Sequence, residues 1–181
     1  MTTPHKFILV LQHPREAKHP LGTARVLEET VPGVIVRVGL SWPNLRRAVG
    51  DDTIKPSECC VLHLGTQKDR EKLEARYRGR VPLVGFLDDK LGDFEPRGLI
   101  VLDGTWQQAR TLWWRNAWLL KLRRAILLSD RKSLYGRLRR EPRKGCLSTF
   151  EASVLAAESL GIVPESSGFL ETLDRYLTEL R

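Results

Sequence analysis

The chain has 181 residues, 41% of them hydrophobic, and a formal net charge of +8, which suits one domain closing one core. No apolar run approaches the roughly 20 residues that cross a bilayer, and the start MTTPHKFILVLQHPRE lacks a signal-peptide cleavage pattern, so the reading is a cytoplasmic monomer. Cys59, Cys60 and Cys146 are odd in number and lack metal-site spacing, which argues for reduced, structural thiols and no metal.

The sequence predicts a strand over residues 7–11, a loop over 12–20 and a helix over 21–30. His13-Pro14-Arg15-Glu16 lies just past the strand, where binding loops collect. Taken alone it reads as a proline-shaped turn with a solvated His and Glu. A second strand is expected over 34–40, with Arg37 its one charge, and Trp42-Pro43-Asn44 opens a short helix towards residue 49. Trp42 reads as a packing residue. After a polar loop, residues 59–64 form a third strand that ends in Gly65-Thr66-Gln67. Residues 68–78 are heavily charged, an exposed helix with few apolar positions. A fourth strand over 81–87 leads into an acidic loop with Asp88, Asp89 and Asp93. Paired carboxylates can hold a metal or serve as acid and base, but no further ligand cluster accompanies these, so they read as solvated.

Leu99, Ile100, Val101 and Leu102 are too few for a helix and read as a buried strand that stops at Asp103. Thr105 followed by Gln108 is a capping-box pattern, so the next helix starts there and leaves Asp103 free. Gly104 permits a sharp turn or a close ligand approach, and the amides of the helix start favour a negative or polar group. Strand end, glycine and helix start together form a binding site in open α/β sheets. Ala109, Leu112, Trp113, Ala117 and Leu120 share one helical face, expected to be buried. Trp114 and Trp118 share another, with Arg110 and Arg115 beside it, a mixture that could stack bases or pack on a loop. Trp106 reads as a helix-start residue tucked against the sheet.

A last strand is expected over 125–128. Residues 121–144 hold ten Lys or Arg against Asp130 and Glu141, so this one tract carries the whole net charge. Such a tract reads equally as a solvated face or as a surface for a phosphate backbone, and four nearby tryptophans favour RNA. Ser148 and Glu151 make a second capping box, opening a helix that ends at Gly161. A final helix over 168–180 presents Phe169, Leu173, Tyr176, Leu177 and Leu180 to the core. Six strand candidates alternating with helices predict a one-domain α/β protein with a largely parallel sheet. There is no Gly-x-Gly-x-x-Gly, no Gly-Lys-Ser/Thr and no Gly-x-Ser-x-Gly, which argues against NAD, nucleoside triphosphates and serine-hydrolase chemistry.

Asp103-Gly104-Thr105-Trp106 followed by Gln108-Ala109 resembles the signature of the DTW-domain proteins. His13-Pro14-x-Glu16, Thr23-Ala24-Arg25, Tyr135 with Arg137-Leu138-Arg139, and Leu147-Ser148-Thr149-x-Glu151-Ala152 are similar to further family segments, in the family's order across most of the chain. Gly22 departs from the pattern, which commonly has Asn there. The resemblance implies a fold like that of the SPOUT methyltransferases, with a deep C-terminal knot forming the donor pocket. It implies transfer of the 3-amino-3-carboxypropyl group of S-adenosylmethionine to N3 of a uridine in RNA, most simply tRNA, releasing methylthioadenosine. It places Asp103 and Trp106 in the chemistry and Gly104, Thr105, Tyr135, Leu147, Ser148 and Thr149 around the donor. Gly65 and Thr66, and Leu128 at the end of the last strand, resemble a donor-binding loop in position. The expected RNA contacts are His13 and Arg15 of the loop after the first strand, Arg110 beside the tryptophans, and Arg137, Arg139, Arg140 and Arg143 of the basic tract. A sulfonium sulfur carries three activated carbons, and the one held in line with the nucleophile is attacked. An RNA methyltransferase is therefore the nearest alternative, and a non-catalytic basic RNA-binding module the next. Asp103 is either the base for N3–H or a group that orients the donor or the uridine.

Overall fold

The computed structural model describes residues 5–20, 22–63, 65–77, 82–88, 94–129, 131–134, 147–164 and 168–179. Among them one sheet contains β1 (Phe7–Gln12), β2 (Val34–Val38), β3 (Cys59–Leu62), β4 (Val84–Phe86), β5 (Gly98–Asp103) and β6 (Arg123–Leu127). Its order is β2-β1-β5-β3-β6-β4. All neighbouring pairs are parallel except β4 against β6. The helices are α1 (Ala24–Thr30), α2 (Leu45–Val49), α3 (Gln67–Tyr77), α4 (Trp106–Arg115), α5 (Thr149–Ser159) and α6 (Phe169–Glu179).

Alternation along the strands sends side chains to two separate cores. Ile8, Val10, Cys60, Leu99, Val101 and Ala125 face α1, α5 and α6, where Leu27, Phe150, Val154, Leu173 and Leu177 meet them. Phe7, Leu9, Leu11, Cys59, Val61 and Ile100 face the other way, against Leu45, Ala48 and Val49 of α2 and against Trp118 and Leu119. Leu73 of α3 closes the edge beside Leu87 and Ile126. Because both faces are covered, every residue of β1 is buried, as a parallel central strand requires. Each large side chain sealed in this way, such as Phe7 or Phe150, contributes about 1.5–3 kcal/mol. The adjacent cysteines split between the two cores, and burial pushes the Cys59 thiol up to about 12 and Cys60 upward as well. Thiols held protonated are inert, consistent with a packing role.

Phe7 and Gly98 are register partners on β1 and β5. A Cβ on Gly98 would lie 2.3 Å from Phe7 Cζ, so the phenyl ring fills the space where a side chain would stand.

The helix expected to run to residue 120 ends earlier. Asn116 is fully buried, and its Nδ2 donates to Leu112 O at 2.7 Å and Leu40 O at 3.1 Å while its Oδ1 accepts from Trp42 N at 2.8 Å. The side chain thus takes the carbonyl that the Asn116 backbone would use in a continuing helix, and the backbone N–H turns to Trp113 O at 3.4 Å. A 3-10 segment, Ala117–Lys121, follows. Its tighter winding reverses the expected faces. Trp118 and Leu119 turn inward, whereas Leu120 is 67% exposed. Trp118 Nε1 donates to Trp42 O at 3.0 Å, so Trp118 is core and does not share a solvent face with Trp114.

Candidate active site at the carboxyl ends of the central strands

The connection leaving β1 goes to β2 on one side of it, and the connection leaving β5 goes to β6 on the other. Where neighbouring parallel strands send their connections apart, a crevice opens beyond their carboxyl ends. The last rung between β1 and β5 pairs Gln12 with Asp103. By alternation both point to the face covered by α5, whose start is at Thr149.

Asp103 is 3% exposed, so its carboxylate must find donors within the protein. Gln12 Nε2 donates to Oδ2 at 2.8 Å, and Thr149 Oγ1 donates to Oδ1 at 2.5 Å. The backbone continues the join, since His13 N donates to Asp103 O at 2.9 Å. Asp103 is therefore not the free acid expected from the capping pattern. It joins two strands and one helix start. Hydrogen bonds to an ionised group contribute about 1.5–3 kcal/mol each, enough to fix the plane of the carboxylate.

The capping box that starts α4 forms as read. Thr105 N donates to Gln108 Oε1 at 2.7 Å, and Gln108 N donates to Thr105 Oγ1 at 3.4 Å. Gly104 has φ 156°, and a Cβ there would lie 2.8 Å from Gln108 Cβ. The glycine is needed so that the box can close over it. Trp106, the first residue of α4, is 41% exposed rather than tucked against the sheet.

Ser148 and Glu151 also form their box, but Glu151 does more than cap. Its buried carboxylate accepts from Ser148 N at 2.9 Å, Ser133 Oγ at 2.8 Å and Leu134 N at 2.7 Å. Glu151 thus ties Ser133 and Leu134, in the segment beyond β6, to the start of α5, the element that carries Thr149. Leu147 is half-buried beside it. A cavity of about 420 Å³ between this segment, α5 and α6 is lined by Leu134, Leu147, Glu151, Leu155, Leu170 and Arg175 among others. It borders the Thr149 turn but does not include Asp103.

At the end of β3, Gly65 N donates to His63 Nδ1 at 3.0 Å. Gly65 has φ 66°, and a Cβ on it would lie 2.4 Å from Ile126 Cδ1. Thr66 N and Oγ1 both donate to Asp69 Oδ2 at 2.7 Å, so the Thr66 hydroxyl is engaged in starting α3. Those bonds draw the Asp69 carboxyl below its ordinary range. The His63 ring meets Trp113 edge-on at 5.1 Å. Burial first, then the charge of Arg124, holds the imidazole below its ordinary pKa, against a smaller opposing pull from Asp69. Leu128 packs its side chain with Leu73 and Ile126, so its side chain is committed to the α3 core.

His13 is half-buried, its Nδ1 accepting from Arg15 N at 3.2 Å. Glu16 is 3% exposed rather than solvated. Arg15 and Arg110 are exposed. Tyr135, Arg137, Arg139, Arg140 and Arg143 lie outside the described residues. What can be followed of the basic tract is divided. Arg123 stacks over Phe94 at 4.1 Å and Arg124 pairs with Asp88 at 3.7 Å, both at the start of β6, whereas Arg131 and Lys132 lie beyond its end. Asp88, read as solvated, is thus an ion-pair partner, and it also accepts from Arg124 N at 3.0 Å. Among the described residues no group of three or more His, Cys, Asp or Glu could hold a metal, and no helix is long and apolar enough to cross a membrane.

Gln12 and His63 were not evident from sequence. Gln12 reads as the first loop residue, directly before His13-Pro14, and only its register with Asp103 in the folded sheet reveals its role. His63 is a lone histidine at the end of an apolar run, and nothing local announces its bond to Gly65.

A parallel sheet with a buried, hydrogen-bonded acid at its switch point defines an α/β protein with a polar ligand crevice. The chain belongs to the DTW-domain family, whose model matches residues 1–180. It is 33% identical over 175 residues to a Drosophila melanogaster protein named tRNA-uridine aminocarboxypropyltransferase 2, covering 96% of this chain and 62% of the fly protein. It is 26% identical over 175 residues to a Mus musculus protein of the same name, covering 96% of this chain and 53% of the mouse protein. The chain thus spans little more than half the length of these relatives. No solved structure matches it.

Proposed function

We propose that the protein is an enzyme that transfers the 3-amino-3-carboxypropyl group of S-adenosylmethionine to N3 of a uridine in tRNA, releasing methylthioadenosine. The observation that carries this reading is the buried Asp103 carboxylate, held by Gln12 and Thr149 at the switch point of a DTW-family sheet. The residues present fit a donor that is cationic at sulfur and at its amino nitrogen, because Asp103 offers an anion beside the ends of β3 and β5. The donor, when bound, supplies a methylene activated by the sulfonium. In this reading Gly65, Thr66, Gly104, Thr105, Tyr135, Leu147, Ser148 and Thr149 border it, with Leu128 contributing backbone only. The C-terminal segment closes the pocket in the knotted manner of the SPOUT enzymes.

Asp103 acts on a proton. The N3–H of uridine must be removed or drawn away before that nitrogen can attack. Gln12 and Thr149 fix the plane of the Asp103 carboxylate. Such a carboxylate can receive the N3–H or an ammonium group in a fixed direction, which is positional catalysis. Trp106, at the mouth, flanks the uridine. His13, Arg15, Arg110, Arg137, Arg139, Arg140 and Arg143 hold the RNA backbone.

The test is incubation with S-adenosylmethionine and bulk tRNA followed by mass spectrometry of the nucleosides and of the small-molecule product. Aminocarboxypropyluridine with methylthioadenosine is the expected result. A methylated base with S-adenosylhomocysteine would replace the reading with a methyltransferase. RNA binding without any affinity for the sulfonium donor would leave a binding module.

A further inference from the structure

The outer face of α4 is unlike the rest of the described surface. Four large hydrophobic residues are well exposed among the described residues, and three of them, Trp106, Trp114 and Leu120, belong to α4 or the 3-10 segment after it. Trp114 stands out at 74% exposed. Trp106, Arg110 and Trp114 are spaced four residues apart, so they form one stripe with about 6 Å of rise between successive members. The stripe begins three residues after Asp103 and runs away from the crevice. From Gly104 to Ser129 the chain has Arg110, Arg115, Lys121, Arg123 and Arg124 and no acidic residue. Among the described residues neither Arg110 nor Arg115 has an acidic partner.

An exposed indole is costly to leave in water, and the unneutralised guanidinium groups around it suit a polyanion. Indole faces and guanidinium planes are also the groups on which unpaired bases stack. We infer that the α4 stripe is a stacking surface for unpaired RNA nucleotides adjoining the reacting uridine, with Trp114 as its base platform and Arg110 and Arg115 as its phosphate contacts. This rests on the reading above that the substrate is RNA. The stripe gives the RNA a second holding point along the outside of the helix that starts at the acid. It assigns to Trp114 a role that core packing cannot account for, since its ring is mostly outside the core.

The test uses the full chain and a labelled single-stranded oligouridylate, with affinity read by fluorescence anisotropy over a salt series and the melting temperature measured beside it. Trp114→Ala should bind about tenfold more weakly, within the range of one lost base–aromatic stack, without a lower melting temperature. Trp114→Phe should restore most of that loss, whereas Trp114→Leu, apolar but without a π face, should not. Arg110→Gln and Arg115→Gln should each lower the salt slope by about 0.7, the value for one single-strand phosphate contact. Wild-type affinity in Trp114→Ala, or full rescue by Trp114→Leu, would overturn the inference and leave the stripe as a site for an apolar protein partner. Because the readout needs no donor, a protein that binds through Trp114 but forms no aminocarboxypropyluridine would sink the proposed activity and not the stacking surface.

Discussion

Asp103 is held by Gln12 and Thr149, residues 91 and 46 positions away in the chain. An asparagine there can keep most of this geometry, because the Gln12 amide can reverse to present its oxygen to the new NH2. Asp103→Asn should therefore fold with little loss of melting temperature while turnover falls by roughly 10²-fold or more, the usual effect of losing an acid–base group. Normal turnover in that variant would remove Asp103 from the mechanism. His63 allows a different test. Its folded pKa is lowered, so as pH falls through the ordinary imidazole range the unfolded chain takes up a proton that the folded chain resists. Stability should be insensitive to this group above that range and decline below it, as protonation at Nδ1 would also break the bond from Gly65. The melting temperature of the wild type should drop more between pH 7.5 and pH 5.5 than that of His63→Gln, and parallel curves would refute the assignment. Asp103 and Thr149 each stand in readable sequence patterns. The bond between them is invisible there, because a capping box explains its local residues without saying what the next hydroxyl touches.

At the level of elements, local rules worked wherever the partners were local. Both capping boxes, Thr105 with Gln108 and Ser148 with Glu151, start helices as their spacing requires. Each of the strand segments forms, because a short apolar run bounded by polar turns has few other uses. The failure at Asn116 is equally physical. Helical periodicity carried Ala117 and Leu120 inward, but the Asn116 side chain bonds to Leu40 and Trp42, and no window of local sequence contains those partners. The junction of β1 and β5 is similarly specified by a contact across the sheet. Gly98→Ala should cost about 1–3 kcal/mol, the usual penalty for overpacking, since the Phe7 ring that it meets is itself fully buried. Denaturant melts of Gly98→Ala, Phe7→Leu and the double variant measure the coupling. The double variant should be clearly less destabilised than the two single losses added together, and strict additivity would show that the two residues do not meet.

For the whole molecule, the fold class followed from strands alternating with helices, but the strand order did not. The apolar run of residues 99–102 announces a buried strand, but nothing in it says which strands flank it, and it is insertion between β1 and β3 that brings Asp103 beside Gln12. The reversal of β4 was likewise hidden, since its one sheet partner, β6, follows it in the chain only after β5 has intervened. The charge tract shows the limit of reading along the chain in another way. It is one block in sequence, but among the described residues β6 runs through it and separates Arg123 and Arg124 from Arg131 and Lys132.

The late insertion of β5 bears on how the molecule assembles. Its neighbours β1 and β3 come first in the chain and must leave a vacancy until residues 98–103 have been made, and the Thr149 hydroxyl arrives later still. Contacts between such distant segments close large loops before they yield any stabilisation, which slows folding and exposes unpaired strand edges meanwhile. The bonds to Asp103 are therefore completed only once the central sheet and α5 have met, so a chain that stalls before that stage lacks both the joined central strands and the carboxylate's partners.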